Sequence, residues 1–167
     1  MRWSLITVTA AVIAAAAPAR GQDSEALVRF NSMLPDLAVK LAQATLAHCR
    51  DGGYQVAVAV VDRFGQTQVV IRDRYAGAHT VDTATAKAWT AVSFRTGTLE
   101  LDRGIEDGTL SKGLRNVPGA LVLGGGVPVE SAGSIVGGVG VSGAPGPEID
   151  ERCANAGIEA ISEELDF

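Results

Sequence analysis

Two histidines, His48 and His79, are the only imidazoles in the chain. An imidazole can hold a metal, move a proton or simply sit at a helix end. His48 falls near the C-terminal end of a helical pattern, where the helix dipole favours a histidine with no ligand attached. His79 lies in a polar loop directly before a second helical pattern, among Arg72, Arg74, Tyr75 and Lys87. A loop imidazole beside cations and a ring is the better ligand candidate, with a solvated surface histidine as its plain alternative. Two separated histidines cannot build a multi-histidine metal site within one subunit. A haem asks for only one or two axial donors, and a site between subunits can take one from each. Lys87, mid-helix among alanines, can aim its charge at an anionic group, although an ordinary helix-surface lysine is the simpler reading. Asp62, at the end of an apolar strand, reads as a turn-stabilising carboxylate.

Other chemistries lack their residues. Gly138-Val139-Gly140-Val141-Ser142-Gly143 matches G-x-G-x-x-G literally, but it falls at a strand end and runs into a Pro-rich turn rather than opening a helix. No Walker lysine follows Gly124-Gly125-Gly126, and Ser142 lacks the glycine spacing of a nucleophile elbow. There is no C-x-x-C, H-E-x-x-H or C-x-x-C-H, so zinc and covalent c-type haem have no support. No nucleophile–base pair or paired carboxylates with convincing spacing argue for an enzyme. The formal charge of −5 argues against nucleic acid and anionic lipid as partners.

These residues must be positioned by a short list of elements. Met1-Arg2, the uncharged run Trp3–Ala17 and the small residues Ala17-Pro18-Ala19 and Gly21 read as a signal peptide over residues 1–21. The run is shorter than the roughly 20 apolar residues of a spanning helix. Cleavage after Ala19 or Gly21 fits equally. Residues 22–167 then form a single domain, periplasmic or secreted, with no stable membrane anchor after cleavage. Residues 25–32 suit a short helical turn, and Pro35 starts a longer helix ended by Gly52-Gly53. Residues 54–62 (YQVAVAVVD) read as a central strand covered on both faces, Arg63–Gln66 as a tight turn and Thr67–Arg72 as the return strand. A helix capped by Thr80 or Asp82 follows and runs to about Arg95, with Ala84, Ala88, Ala91 and Val92 as a small-residue face that permits close approach to a sheet. A short helix over 99–105, a strand at Ala120–Leu123, an edge piece at Val127-Pro128-Val129, a buried strand at Ser134–Ser142 and a final helix over 147–165 complete the pattern. That last helix shows an apolar face of Ile149, Cys153, Ala156, Ala160 and Ile161. The order fits the α/β (α+β) class with a mainly antiparallel sheet between helices. Cys49 and Cys153 fall near helix ends and can be either a disulfide or two small buried apolar residues.

The stretches 58–73, 76–98, 121–130 and 133–161 occur in an order that resembles the GlcG/HbpS family, and the same module is similar to the C-terminal domain of PduO-type proteins. The most specific parts are Val60-Val61-Asp62 with Gly65, Lys87-Ala88 with Thr90-Ala91, Gly124-Gly125-Gly126-Val127-Pro128, and Gly140-Val141-Ser142-Gly143 followed by Asp150. The resemblance implies a profilin-like sandwich with a five-stranded sheet, assembly into homo-oligomers, and non-covalent haem binding in several members. Where the family often carries Asp-Gly-Ala after the second strand, this chain reads Tyr75-Ala76-Gly77-Ala78-His79. The departure adds a histidine. On this basis the expected function is binding of haem or a related tetrapyrrole outside the cytoplasm, for scavenging, buffering or sensing. His79 would be the preferred axial metal ligand, with His48 as the next candidate for that role, and Arg72, Arg74 or Lys87 would meet the propionates. The Val-rich strands and Trp89 would form the pocket wall. The alternative is a non-haem oligomeric binding or accessory protein for a small organic acid or a periplasmic partner.

Overall fold

The computed structural model describes residues 26–165, so the expected signal peptide lies outside the described residues. Helix α1 (Pro35–Asp51) leads into the hairpin β1 (Ala57–Asp62) and β2 (Thr67–Arg72). Helices α2 (Thr80–Phe94) and α3 (Thr98–Glu106) and a 3-10 turn at Lys112–Asn116 follow. The second pair of strands, β3 (Gly126–Ser131) and β4 (Ser134–Ser142), precedes α4 (Pro147–Glu159) and the short α5 (Ser162–Leu165). The four strands lie in the order β2-β1-β4-β3, with every neighbouring pair antiparallel. Among the described residues no helix is long and apolar enough to cross a membrane.

The alternation of β1 decides the layers. Val58 and Val60 pack with Val139, Val141 and Val129 into one large cluster that also takes in Leu41, Ala42 and Leu46 of α1 and Cys153 and Ala154 of α4. Burying each such valine is worth about 1.5–3 kcal/mol. Ala57 and Ala59 point to the other face, where they meet Ala84 of α2, and Val61 meets Ala88 and Val92. That second face is lined by small residues, so α2 descends almost to the sheet backbone. A Cβ on Gly140 would collide with the Ala84 carbonyl oxygen, and one on Gly138 would stand 2.6 Å from the Val92 side chain.

Across the valine face, Cys49 and Cys153 form a disulfide between α1 and α4, with Cα atoms 5.4 Å apart and a separation of 104 positions in sequence. In the chain-entropy account, closing a loop of that length stabilises by about 4–5 kcal/mol. Gly157 of α4 sits directly against the Thr45 hydroxyl of α1, so the same two helices approach closely there as well.

Several elements differ from the sequence reading, each for an identifiable reason. Among the described residues the sheet has four strands, not five, because Ala120–Leu123 forms none. The backbone groups of that segment are taken by threonine side chains: Leu121 N–H donates to Thr90 Oγ1 at 2.8 Å, and Thr98 Oγ1 donates to the Leu123 carbonyl at 2.8 Å. Residues 27–34 hold no helix. The arm is pinned in place by Met33 N–H donating to the Val136 carbonyl, by Gln68 Nε2 donating to the Met33 carbonyl and by Arg63 Nη1 donating to the Asn31 carbonyl. The last helix breaks at Ala160–Ile161, and its buried face is Asp150, Cys153, Ala154 and Gly157 rather than the fully apolar stripe expected. Asp62 does stabilise its turn, its Oδ1 accepting from the N–H groups of Phe64 and Gln66. Replacing Gly140 by Ala is expected to lower stability by about 3 kcal/mol or more, as overpacking does where backbone blocks relaxation. An unchanged denaturant midpoint would contradict the close α2–β4 contact.

Candidate functional site

A cleft of about 540 Å³ opens where five chain segments meet. The turn after α1 contributes Gly53, Tyr54 and Gln55, and the β2–α2 loop contributes Tyr75, Gly77 and His79. Thr80 and Lys87 come from α2, Ser142 from the end of β4, and Gly143–Pro147 lead into α4 with Asp150. The volume falls within the roughly 300–1,000 Å³ usual for small-molecule sites.

Lys87 and Asp150 form its floor. Both are buried, Lys87 with only 1% of its surface exposed. Its ammonium donates to Asp150 Oδ2 at 2.8 Å and to the Val141 carbonyl at 2.9 Å. The other carboxylate oxygen, Oδ1, accepts from the Ala144 N–H at 3.0 Å, which fixes the loop entering α4. Burial pushes the Asp150 carboxyl above its ordinary range, and the Lys87 charge and hydrogen bonds pull against that rise. Two charges withdrawn from water need this degree of satisfaction to persist. The surface reading of Lys87 is therefore corrected: the glycine-lined descent of α2 carries its stem past the sheet to a partner on α4.

The rim is built from loop residues. Thr80 Oγ1 donates to the Gly77 carbonyl at 2.7 Å, and the His79 ring lies so close over Gly77 that a Cβ there would stand 2.7 Å from its Cε1. His79 is exposed, and among the described residues its side chain appears in no hydrogen bond or ion pair. Tyr75 beside it is exposed too. Gln55 leaves a buried amide oxygen, Oε1, with no partner among the described residues, an acceptor that a bound molecule can satisfy. Outside the cleft, Arg50 holds Asp73 through two hydrogen bonds of 2.6 and 3.0 Å, tying the end of α1 to the loop that carries His79. The Arg50 guanidinium holds the Asp73 carboxyl down at about 2.

Of the residues singled out in the sequence, His79 and Lys87 come together in the cleft. His48 is exposed on the last turn of α1 and does not line it. Arg72 donates to the Ala76 carbonyl and Arg74 stacks over the Tyr75 ring at 5.6 Å. Both brace the loop from outside without lining the cleft. The expected wall of strand valines and Trp89 is not found: the valines point into the core, and Trp89 borders a separate depression. Asp150 and Gln55 had no assigned role in the sequence reading. The available signal for Asp150 was its place on the same helical face as Cys153 and Gly157, where a carboxylate must find a buried partner.

A family model described as "Haem degrading protein HbpS-like" matches residues 34–159. An uncharacterized 15.0 kDa protein of the dhaT-dhaS intergenic region in Citrobacter freundii is 34% identical over 128 residues, which span 75% of this chain and 89% of that protein. The crystal structure of a double mutant of Streptomyces reticuli HbpS is similar over 88% of this chain and 98% of its own, with 38% identity and a TM-score of 0.76. A crystal structure of a PduOC:heme complex is similar over 78% of this chain and 95% of its own, with 30% identity and a TM-score of 0.72.

Two outcomes follow from the site's electrostatics. Replacing Lys87 by Met strands a buried carboxylate and is expected to cost about 3–5 kcal/mol in a denaturant titration, while adding Asp150→Leu recovers part of the loss. Because the Asp73 carboxyl is depressed in the folded state, its contribution is full above the unfolded value near 3.8 and fades as pH falls toward about 2. Asp73→Asn should flatten that limb of the stability–pH curve, and an unaltered acid limb would contradict the Arg50–Asp73 assignment.

Proposed function

The chain belongs to the HbpS-like family, and on that premise we propose that it binds haem non-covalently in the cleft bordered by His79. The observation that carries this reading is the exposed imidazole at the rim of a cleft whose wall holds an unsatisfied buried acceptor. The donor set fits the group. A neutral imidazole is a common axial donor to haem iron, Tyr54 and Tyr75 offer ring surface to a flat macrocycle, and the open side leaves room for its bulk. Arg72 and Arg74 flank the His79 loop as exposed cations suited to propionates. Lys87 has a different part in this reading. Its charge is engaged by Asp150, so it sets the shape of the floor rather than pairing with a propionate. His48, outside the cleft, is the secondary candidate, available where a neighbouring subunit supplies the second donor. Haem, when bound, supplies an iron centre for ligand or redox chemistry; the protein supplies the imidazole, the walls and the counter-charges.

We further propose that the protein works as a homo-oligomer outside the cytoplasm, handling external haem by scavenging, buffering or sensing. The charge-free run behind Met1-Arg2 supports export, and the Cys49–Cys153 disulfide suits an oxidising compartment. The resemblance to HbpS structures supports assembly.

Haemin titration followed at the Soret band tests the binding. Saturable binding at micromolar haem is expected, lost or weakened at least tenfold in His79→Ala and retained in His48→Ala. No Soret shift in the unmodified protein would overturn the proposal. Loss in His48→Ala alone would transfer the axial role to α1.

A further inference from the structure

At the opposite end of α2 from the haem cleft lie two adjoining depressions of about 220 and 270 Å³ that share Arg63, Arg95 and Ile135. The first is completed by Phe64, Gly65, Trp89, Val92 and Ser93, and among the described residues no carboxylate lines it. Glu130 borders only the second. In a chain of net charge −5, a concavity with two guanidiniums and no acid is set apart from its surroundings. We propose that the first of these depressions is a binding site for a small organic carboxylate with a flat or branched apolar body.

Three observations carry the assignment. Arg63 is held rigidly: its guanidinium carbon lies 4.1 Å from the Phe30 ring centroid and 5.6 Å from that of Phe64, and its Nη1 donates to the Asn31 carbonyl at 3.0 Å. Its Nε is nevertheless buried with no partner among the described residues. A charged donor left unpaired in this way is costly unless an anion satisfies it. Arg95 ends α2 in the left-handed region at φ 56°, a place that normally favours glycine or asparagine. That conformation is a helix C-cap, held by the Arg95 and Thr96 N–H groups donating to the Ala91 carbonyl, and among the described residues the Arg95 side chain is left without an ion pair or hydrogen bond. Finally, the Trp89 ring lies against Gly65, so close that a Cβ there would stand 3.1 Å from the indole Nε1. Its indole N–H also has no partner among the described residues.

Together the arginines offer fork geometry to a carboxylate. The indole N–H and the Ser93 hydroxyl offer further donors, and Phe64, Trp89, Val92 and Ile135 supply an apolar surface for the rest of the molecule. At about 220 Å³ the first depression has room for a small body such as benzoate.

Calorimetric titration of the full chain with benzoate, with benzamide as its neutral match and inorganic phosphate as a bare anion, tests the site. Saturable benzoate binding is expected, with benzamide and phosphate each at least tenfold weaker. Arg95→Gly removes the guanidinium and relieves the left-handed backbone. The variant should melt no lower than the parent, lose at least tenfold in benzoate affinity and keep the Soret response to haemin. In a Trp3→Phe background, Trp89 is the only tryptophan, and its emission should respond to benzoate at the same concentrations. Benzoate and benzamide binding equally, no benzoate binding at all, or Arg95→Gly binding as the parent does would each overturn the proposal. Phosphate binding best would reassign the site to inorganic anions and overturn the organic carboxylate. Because the haem titration is read separately, failure here leaves that reading intact, and the reverse holds as well.

Discussion

A helix can rest on a sheet at backbone distance only where the strand beneath it carries no side chains. That constraint organises this protein. Gly138 and Gly140 of β4 and Gly126 of β3 lie under α2, and a Cβ on Gly126 or Gly140 would strike the carbonyl of Lys87 or Ala84. The intimacy brings Lys87 so low that its ammonium reaches the Val141 carbonyl and the Asp150 carboxylate on α4. One buried ion pair thereby joins the helix on one face of the sheet to the helix on the other. A larger residue at either strand glycine would lift α2 and open that pair, leaving two buried charges unsatisfied.

The two faces of the sheet are stabilised by different means. The face toward α1 and α4 is an ordinary valine interior, closed by the disulfide and by the Gly157–Thr45 approach. The face toward α2 has little apolar volume, since its residues are mainly alanine and glycine. Its stability comes from close packing and from satisfied polar groups: the Lys87–Asp150 pair, and the hydroxyls of Thr90 and Thr98 that hold the segment before β3. Polar groups that are fully paired specify one arrangement more sharply than methyl groups do. Both ends of α2 consequently become places where loops converge, the cleft beside His79 at one end and the Arg63–Arg95 depressions at the other.

The parts of the fold that were legible in the sequence are those set by local pattern. Val-rich residues 57–62 followed by a Gly65 turn and 67–72 specify a hairpin, since period and turn chemistry agree. Pro35 and Gly52 mark α1, and the alanines of α2 already call for a close neighbour. His79 could be singled out because an imidazole in a loop before a helix is rarely needed for packing. The rest was hidden in long-range partners. Lys87 read as a surface residue because its partner lies 63 positions away. Residues 120–123 looked like a strand because apolar composition does not reveal that threonine hydroxyls capture their backbone groups. Trp89 follows His79 closely in sequence, yet a step of ten positions is almost three turns of helix and carries Trp89 away from the cleft to the depression beside Arg63.

The amino-acid sequence by itself determined the four main helices, the β1–β2 hairpin, a two-sided burial of β1 and the pool of imidazole, guanidinium and thiol groups available for chemistry. These follow from interactions between residues near one another along the chain. Only the tertiary structure decided which of those groups share a site. It joined Cys49 to Cys153, buried Lys87 against Asp150, placed His79 on a cleft rim and His48 outside it, and left Arg63 and Arg95 facing one depression. The physical reason is that charge satisfaction and close packing depend on distances across the fold, and no local period encodes a distance between residues sixty or a hundred positions apart.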